Sequence, residues 1–246
     1  MISSWMTAFF AVSSGLRRAC LRLIRAGFVV ARGALLGALL GALLGALLSM
    51  VPSIALSAAY DDFIGAVNQG NAAEVASWLK RGMDPNTIDP TGQPVLHLAA
   101  REGALGVVQT LAAADINLNR KNPSGETAIM LAALQGHTEV VKFLISREAE
   151  VNQPGWTPLI YAATSGRNEI IKILIENHAY IDATSPSGVT ALMMAVRGGH
   201  RSTVKLLIDE DADVTVRNDV GDSALTWAER GPDPEMVKML RVKLMP

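Results

Sequence analysis

One motif recurs at nearly constant spacing through the part of the chain that follows residue 60. Five glycines mark it, at intervals of 33, 30, 33 and 33 residues: Gly92, Gly125, Gly155, Gly188 and Gly221. Two residues after each glycine comes a Pro, Thr or Ser, and a block rich in Ala, Leu, Ile and Met follows. A period of this length indicates stacked repeats, in which no single unit buries its apolar face alone.

A second apolar block follows the first in each repeat, as Val107-Val108 and Leu111 follow the block at 95–100. Both blocks have helical spacing, so each repeat is predicted to contain two helices that fill the core between neighbouring repeats. The Thr or Ser ahead of the first helix is predicted to cap free backbone N–H groups. The marker glycines are predicted to adopt positive φ in the loops.

Short motifs inside these blocks resemble the ankyrin-repeat family. Thr157-Pro158-Leu159 resembles the opening of its T-P-L-H-x-A pattern, and His97-Leu98-Ala99-Ala100 resembles the end. Gly136-His137 and Gly199-His200 resemble its glycine-histidine pair. The resemblance implies an all-α ankyrin-repeat solenoid, with a helix-turn-helix and a hairpin loop in each of five or six repeats, as in an exported, bacterial-type member. The expected repeats are 60–91, 92–121, 122–152, 153–184, 185–217 and 218–246.

The first 59 residues differ from the rest in charge and hydropathy. They carry five arginines and no acidic residue, a net charge of +5, and residues 33–59 contain no charged side chain. That stretch is long enough to span a bilayer, and the arginines precede it, as the positive-inside rule requires of a cytoplasmic flank. Residues 1–59 are therefore predicted to be a signal peptide or signal anchor, and residues 60–246 the ankyrin-repeat domain.

Two interpretations of the targeting segment stay open. Pro52 and the small residues Ser57-Ala58-Ala59 are typical of a signal peptide that is cleaved near Ala59. In the other interpretation the helix stays in the membrane as an anchor, and glycines on one face let it oligomerise. These glycines recur every four residues: Gly33, Gly37, Gly41 and Gly45.

The two interpretations predict different locations. Cleavage near Ala59 releases the repeats into the periplasm or the medium, whereas an anchor holds them at the inner membrane, outside the cytoplasm. The chain has one cysteine, Cys20, and no Asn-x-Ser/Thr sequon after residue 59, which favours a periplasmic setting. In the anchored case, the membrane is contacted only through residues 33–59.

Residues 60–246 hold 17 basic and all 23 acidic residues, a net charge of −6. This charge repels nucleic acid, so the expected partner is a protein or peptide and the mature domain is expected to be monomeric. The family resemblance implies that partners contact the hairpin tips and the concave face of the first helices. The corresponding residues are Asp89, Thr91, Gln93, Arg101, Glu102, Ser124, Glu126, Leu134, Gln135, Trp156, Thr164, Ser165, Ser187, Val189, Arg197, Asp219 and Asp222.

The hairpin that carries Trp156 is three residues shorter than its neighbours. Two interpretations follow. The shortened tip leaves Trp156 pointing outward, where an aromatic ring favours partner binding. Alternatively, Trp156 folds over the short turn and fills the volume that the missing residues leave.

Catalytic and metal-binding patterns are weak in this sequence. His97, His137 and His200 occupy repeat positions and are expected to bond loop backbone between repeats, while His178 lies near a predicted helix end. Because no histidine has a second His or Cys at ligand spacing, we expect no metal and no cofactor. The acidic run at 209–213 lacks the calcium-loop pattern. The chain is therefore predicted to be a non-enzymatic interaction module, with a membrane-anchored scaffold as the alternative.

Overall fold

The computed structural model describes residues 58–114 and 116–244. In these residues the regular secondary structure is helical, with an isolated antiparallel bridge between Ile88 and Pro94. The all-α prediction is confirmed for this part of the chain. Residues 1–57 of the predicted targeting segment lie outside the described residues. The twelve helices are α1 (58–68), α2 (Ala72–Lys80), α3 (Val95–Arg101), α4 (Leu105–Ala112), α5 (Ala128–Gln135), α6 (Thr138–Ser146), α7 (Pro158–Thr164), α8 (Asn168–Glu176), α9 (Ala191–Arg197), α10 (Arg201–Asp209), α11 (Ala224–Arg230) and α12 (Pro234–Leu244).

Consecutive helices form pairs, and the pairs stack on one another. The first helices of successive pairs, α3, α5, α7, α9 and α11, contact one another in chain order. The second helices, α2, α4, α6, α8, α10 and α12, form another row in the same order. Each pair therefore packs mainly against its two neighbours, which is the arrangement of a solenoid.

The core runs through the whole stack and consists of the residues that the repeat pattern predicts. The paired β-branched residues of the second helices are almost completely buried, as Val140, Val141, Ile170 and Ile171 show. Behind them, one leucine in each second helix from α4 onward is 0% exposed: Leu111, Leu144, Leu174, Leu207 and Leu240. Burying one such side chain contributes about 1.5–3 kcal/mol, so these columns supply much of the stability of the stack.

Hydroxyl groups cap α7, α9 and α11, as predicted. The Oγ1 of Thr157 accepts a hydrogen bond from Ile160 N at 3.3 Å, and that of Thr190 accepts one from Met193 N at 3.3 Å. Ser223 caps α11 in the same way. Each cap satisfies a backbone donor that the first turn of a helix leaves without a partner.

The marker glycines have the conformation that their position requires. Their φ angles are 84° at Gly92, 82° at Gly125, 88° at Gly155, 75° at Gly188 and 83° at Gly221, which confirms the prediction. Any other residue is strained in this left-handed region, because its Cβ crowds the backbone.

A side-chain bond between the turns joins neighbouring pairs, and we call it the carbonyl lock. The residue just before the second helix of one pair donates to a carbonyl near the C-terminal end of the first helix of the previous pair. The three locks are His137 Nε2 to Arg101 O at 2.9 Å, Arg167 Nε to Leu134 O at 3.2 Å and His200 Nε2 to Thr164 O at 3.0 Å. These histidines therefore bond backbone between repeats, as predicted, but the acceptors are the last residues of α3 and α7 and not loop residues.

A second set of bonds links the loops that follow the second helices. In each bond an Asn or Asp side chain accepts from a backbone N–H of the next repeat. The pairs are Asn119 with Glu150 N at 2.9 Å, Asn152 with Tyr180 N at 2.8 Å and Asp182 with Asp213 N at 2.9 Å. Together with the carbonyl locks, these bonds fix the register of one repeat on the next.

The described helices are short. Across residues 58–114 and 116–244, none combines the length and the apolar character needed to cross a bilayer.

Candidate partner-binding surface

Four of the five hairpin tips are organised by one polar side chain each. Asp89 Oδ1 accepts hydrogen bonds from Thr91 N at 2.8 Å and from Gln93 N at 2.9 Å. Asn122, Ser185 and Asn218 accept from the residues two and four positions on in the same way. These side chains shape the tips, so Asp89 has a structural role whether or not it contacts a partner.

The environment of Asp89 changes its acidity. Burial pushes the pKa of the Asp89 carboxyl upward, but hydrogen bonds from Thr91 and Gln93 favour the ionised form. The net result is a pKa below the usual aspartate range, so the carboxylate keeps its charge while it holds the turn.

Sixteen of the seventeen predicted binding residues reach the surface to some degree. The exposed ones are Thr91, Arg101, Glu102, Ser124, Gln135, Trp156, Ser187, Arg197 and Asp219. The half-buried ones are Asp89, Gln93, Glu126, Leu134, Thr164, Ser165 and Asp222. Their role in binding a partner stays a prediction.

The expected outward position of Val189 is wrong. Its side chain is 8% exposed and belongs to the hydrophobic core. The full-length hairpin around Ser185 folds over it, and Val189 N donates to Ser185 Oγ at 3.1 Å. Removing an isopropyl group from water is favourable, so an apolar residue turns inward at a position where Gln93, Glu126 and Asp222 stay half-buried.

Trp156 occupies this same position, directly after the marker glycine, on the shortened hairpin. Its side chain is 38% exposed. The ring packs edge-on against Tyr161, with 5.8 Å between ring centroids and an interplanar angle of 77°. The ring is therefore partly packed against Tyr161 and partly exposed, and its role in binding a partner stays a prediction.

Tyr161 connects this aromatic pair to the neighbouring repeat. Its hydroxyl donates to Glu126 Oε1 at 2.9 Å, and Asn122 Nδ2 donates to Glu126 Oε2 at 2.8 Å. The same Asn122 amide also donates to Gln93 Oε1 at 2.9 Å. Burial, with a further contribution from the hydrogen bond to Glu126, raises the pKa of Tyr161 well above its usual value, so the phenol keeps its proton.

Tyr161 is not among the predicted binding residues, although its residue type departs from the repeat pattern. Aligned on the marker glycines, Tyr161 stands where the other repeats have Leu98, Leu131, Met194 and Trp227. The three aliphatic residues are at most 8% exposed, whereas Tyr161 and Trp227 are only half-buried. A hydroxyl or indole N–H at an otherwise aliphatic position indicates a polar contact at the surface of the first helices.

Trp227 has its own polar partners at the C-terminal end of the stack. Its Nε1 donates to Asp222 Oδ2 at 3.2 Å. Arg230 binds the same carboxylate with two nitrogens, at 2.6 and 2.8 Å. The hydrogen bond from Arg230 is the main cause of the lowered pKa of Asp222.

Two of the histidines have no features of a reactive site. His97 is 1% exposed, its Nε2 donates to Glu126 O at 3.0 Å, and burial lowers its pKa. The ring is therefore neutral and structural. His178 follows the end of α8 with φ of 63°, and its carbonyl accepts from Asn152 Nδ2 at 2.7 Å. Within residues 58–114 and 116–244, no three His, Cys, Asp or Glu side chains gather as they would around a metal ion.

The repeat pattern and the stacked helix pairs agree with a comparison against known families. The family model described as ankyrin repeats (3 copies) matches residues 63–154, 104–185 and 177–243, well over half of the chain. No curated protein matches the chain. Since the matched residues are the ones that form the helix pairs and the hairpin tips, the chain belongs to the ankyrin-repeat family.

Proposed function

We propose that this chain binds a partner protein through its hairpin tips and first helices, and that the aromatic pair of Trp156 and Tyr161 is the centre of the contact. Ankyrin repeats generally mediate protein–protein interactions, which supports a binding role. The observation that carries the location is the partly exposed Trp156 ring, which packs in a T-shaped arrangement with Tyr161.

The chemistry of this surface favours a mixed contact. A tryptophan whose ring is already held by a neighbour loses little conformational entropy on binding, which is one reason such rings dominate interfaces. Beside it, the Glu126 carboxylate accepts from Tyr161 and Asn122 and retains lone pairs for a donor on the partner. The partner segment that fits places an apolar side chain on Trp156 and an N–H or ammonium group on Glu126.

A capture experiment with matched aromatic variants tests the proposal. The full chain, the variant Trp156→Ala and the control variant Tyr180→Ala are each used as bait in native extract. Tyr180 is 69% exposed, lies outside the first helices and makes a fair control for the loss of any surface ring. A partner retained by the wild type and by Tyr180→Ala and lost with Trp156→Ala supports the proposal. Equal capture by all three baits contradicts it.

The binding role needs no reaction chemistry. The polar side chains near Trp156 are held by bonds to one another and to backbone, and the buried His97 ring is neutral. We therefore infer a non-enzymatic interaction module, and turnover of any small molecule that is lost with Glu126→Gln would contradict this inference.

Export of the repeats is part of the proposal. The basic segment, the uncharged stretch at 33–59 and the small residues before Tyr60 support cleavage near Ala59 and release into the periplasm or the medium. The glycines at every fourth residue support the alternative, an anchored scaffold that oligomerises in the membrane. N-terminal sequencing of the mature protein separates them: a start near Tyr60 excludes the anchor, and an intact N-terminus in the membrane fraction excludes cleavage.

A further inference from the structure

An open groove of about 760 Å³ lies between the last two helix pairs, beside the ends of α9 and α11. Its lining includes the apolar side chains of Trp227 and Pro232 and the charged side chains of Arg197, Arg201 and Arg230. The groove lies in the last two repeats, and its lining does not include Trp156 or Tyr161. It shares Arg197 with the predicted binding residues, and Trp227 and Arg230 bond Asp222 at the last hairpin tip.

The groove lies where a carbonyl lock is missing. Aligned on the marker glycines, Arg197 O corresponds to the carbonyls that His137, Arg167 and His200 lock in the preceding repeats. In the last pair the residue before the second helix is Asp233, whose carboxylate can only accept hydrogen bonds. It accepts from Met236 N at 3.3 Å and from Arg201 Nε, so it cannot bond Arg197 O.

The guanidinium groups around the groove retain many free donors. Arg201 uses its Nε on Asp233, and Arg230 uses both Nη atoms on Asp222. Arg197 is exposed and forms no ion pair with any residue that the structure describes. Since each guanidinium has five N–H donors, the rim can still bind carboxylates.

The local charge is opposite to that of the domain around it. Three arginines and two aspartates give the groove and its partners a net charge of +1, whereas residues 60–246 carry −6. A positive rim above an apolar floor complements a segment that alternates acidic and apolar side chains. Because three arginines line the groove, several side-chain carboxylates suit it better than a single terminal one.

We propose that this groove binds an acidic, apolar segment of a protein, with its carboxylates on Arg197 and the free donors of Arg201 and Arg230. An apolar side chain of the segment packs on Trp227, and a backbone N–H donates to Arg197 O in place of the missing lock. This proposal rests on the proposed function, because it takes the segment to belong to a protein partner. A short peptide tests binding to the groove by itself.

Binding of short labelled peptides to the purified full chain in nonionic detergent tests the proposal. The probe is a hexapeptide of alternating Leu and Glu, blocked at both ends, and the matched peptide has Gln in place of Glu. Fluorescence anisotropy is expected to show binding of the Glu peptide that weakens with added salt, and no comparable binding of the Gln peptide. Equal binding of the two peptides would overturn the proposal.

Two arginine variants localise the contact. Arg197→Gln is expected to weaken the Glu peptide about fivefold, because an exposed charge-assisted contact is lost. Arg81→Gln is the control, since Arg81 is an exposed arginine at the end of α2, outside the groove and outside the predicted binding residues. Equal effects of both variants, or no effect of Arg197→Gln, would overturn the proposal.

Two further arms separate the possible causes of each result. A Leu-Gln peptide with a free C-terminus carries one terminal carboxylate, and tight binding of this peptide would overturn the choice of side-chain carboxylates. Unchanged partner capture by Trp156→Ala contradicts the proposed function while peptide binding to the groove persists. The two proposals can therefore fail separately.

Discussion

Replacing Leu174 by alanine is expected to disrupt the stack far more widely than the same change at Leu240. Both side chains are 0% exposed and occupy the same position in the second helix of their pair. Each change removes about three methylene groups, or ~2.4 kcal/mol at ~0.8 kcal/mol each. The cavity that remains brings the local cost to about 2–5 kcal/mol.

The two sites differ in what depends on them. Leu174 lies in α8, with stacked pairs on both sides, so its loss weakens two interfaces and uncouples the repeats around Trp156 from the C-terminal ones. Leu240 lies in α12, the last helix of the described chain, and its loss weakens one interface. Local opening at the end of a stack leaves the remaining pairs folded.

Hydrogen–deuterium exchange with peptide resolution distinguishes these outcomes. Leu240→Ala is expected to raise exchange in α11 and α12 only. Leu174→Ala is expected to raise it from α7 to α12 and to lower the free energy of unfolding of the whole domain. If Leu240→Ala raised exchange from α7 to α12 as fully as Leu174→Ala, the last pairs would open as one unit, which would contradict stabilisation by nearest-neighbour contacts.

Three further predictions concern single contacts. Gly103→Ala is expected to destabilise the fold more than Gly125→Ala in urea unfolding, because the new Cβ would lie 2.4 Å from the His137 ring at the first site and meets no atom within 4 Å at the second; equal losses would contradict this. The pKa of the Tyr161 phenol is expected to lie well above 10.0 in an absorbance titration, and the Tyr161→Phe variant is expected to lack this transition. A Tyr161 pKa near 10.0 in the wild type would contradict this. Asp222 has a lowered pKa in the fold, so its carboxylate stabilises the fold above the ordinary aspartate pKa, and this contribution is lost as the pH falls through the lowered value. Asp222→Asn is therefore expected to lower stability at neutral pH and to reduce its loss in acid, and an unchanged acid profile would contradict this.

Periodicity in the sequence was enough to predict the scaffold. The spacing of glycines, hydroxyl residues and apolar pairs predicts two helices and a tight loop per repeat, because helical periodicity and positive φ are local properties. The caps at Thr157 and Thr190 and the backbone bonds of His137 and His200 also follow from their places in the repeat.

The details of the candidate surface could not be predicted in this way, since they depend on contacts between repeats. Val189 is apolar and turns inward, whereas Trp156 stays partly exposed at the same position of the shorter hairpin. The bond from Tyr161 to Glu126 joins residues 35 positions apart, and no local pattern indicates which carboxylate a tyrosine reaches. At the C-terminal groove, Asp233 occupies the position at which His137, Arg167 and His200 donate a carbonyl lock. An aspartate at a helix start is common, so its residue type alone does not indicate the missing lock.

Photo-crosslinking from position 156 tests directly whether the surface around Trp156 contacts a partner protein. A benzophenone amino acid is placed at position 156 in one full-length variant and at position 180 in another, and both are irradiated in cells. A discrete partner protein is expected to be crosslinked from position 156 and not from position 180. Crosslinking of the same proteins from both positions, or of a partner from position 180 alone, would show that the surface around Trp156 is not where this chain binds its partner.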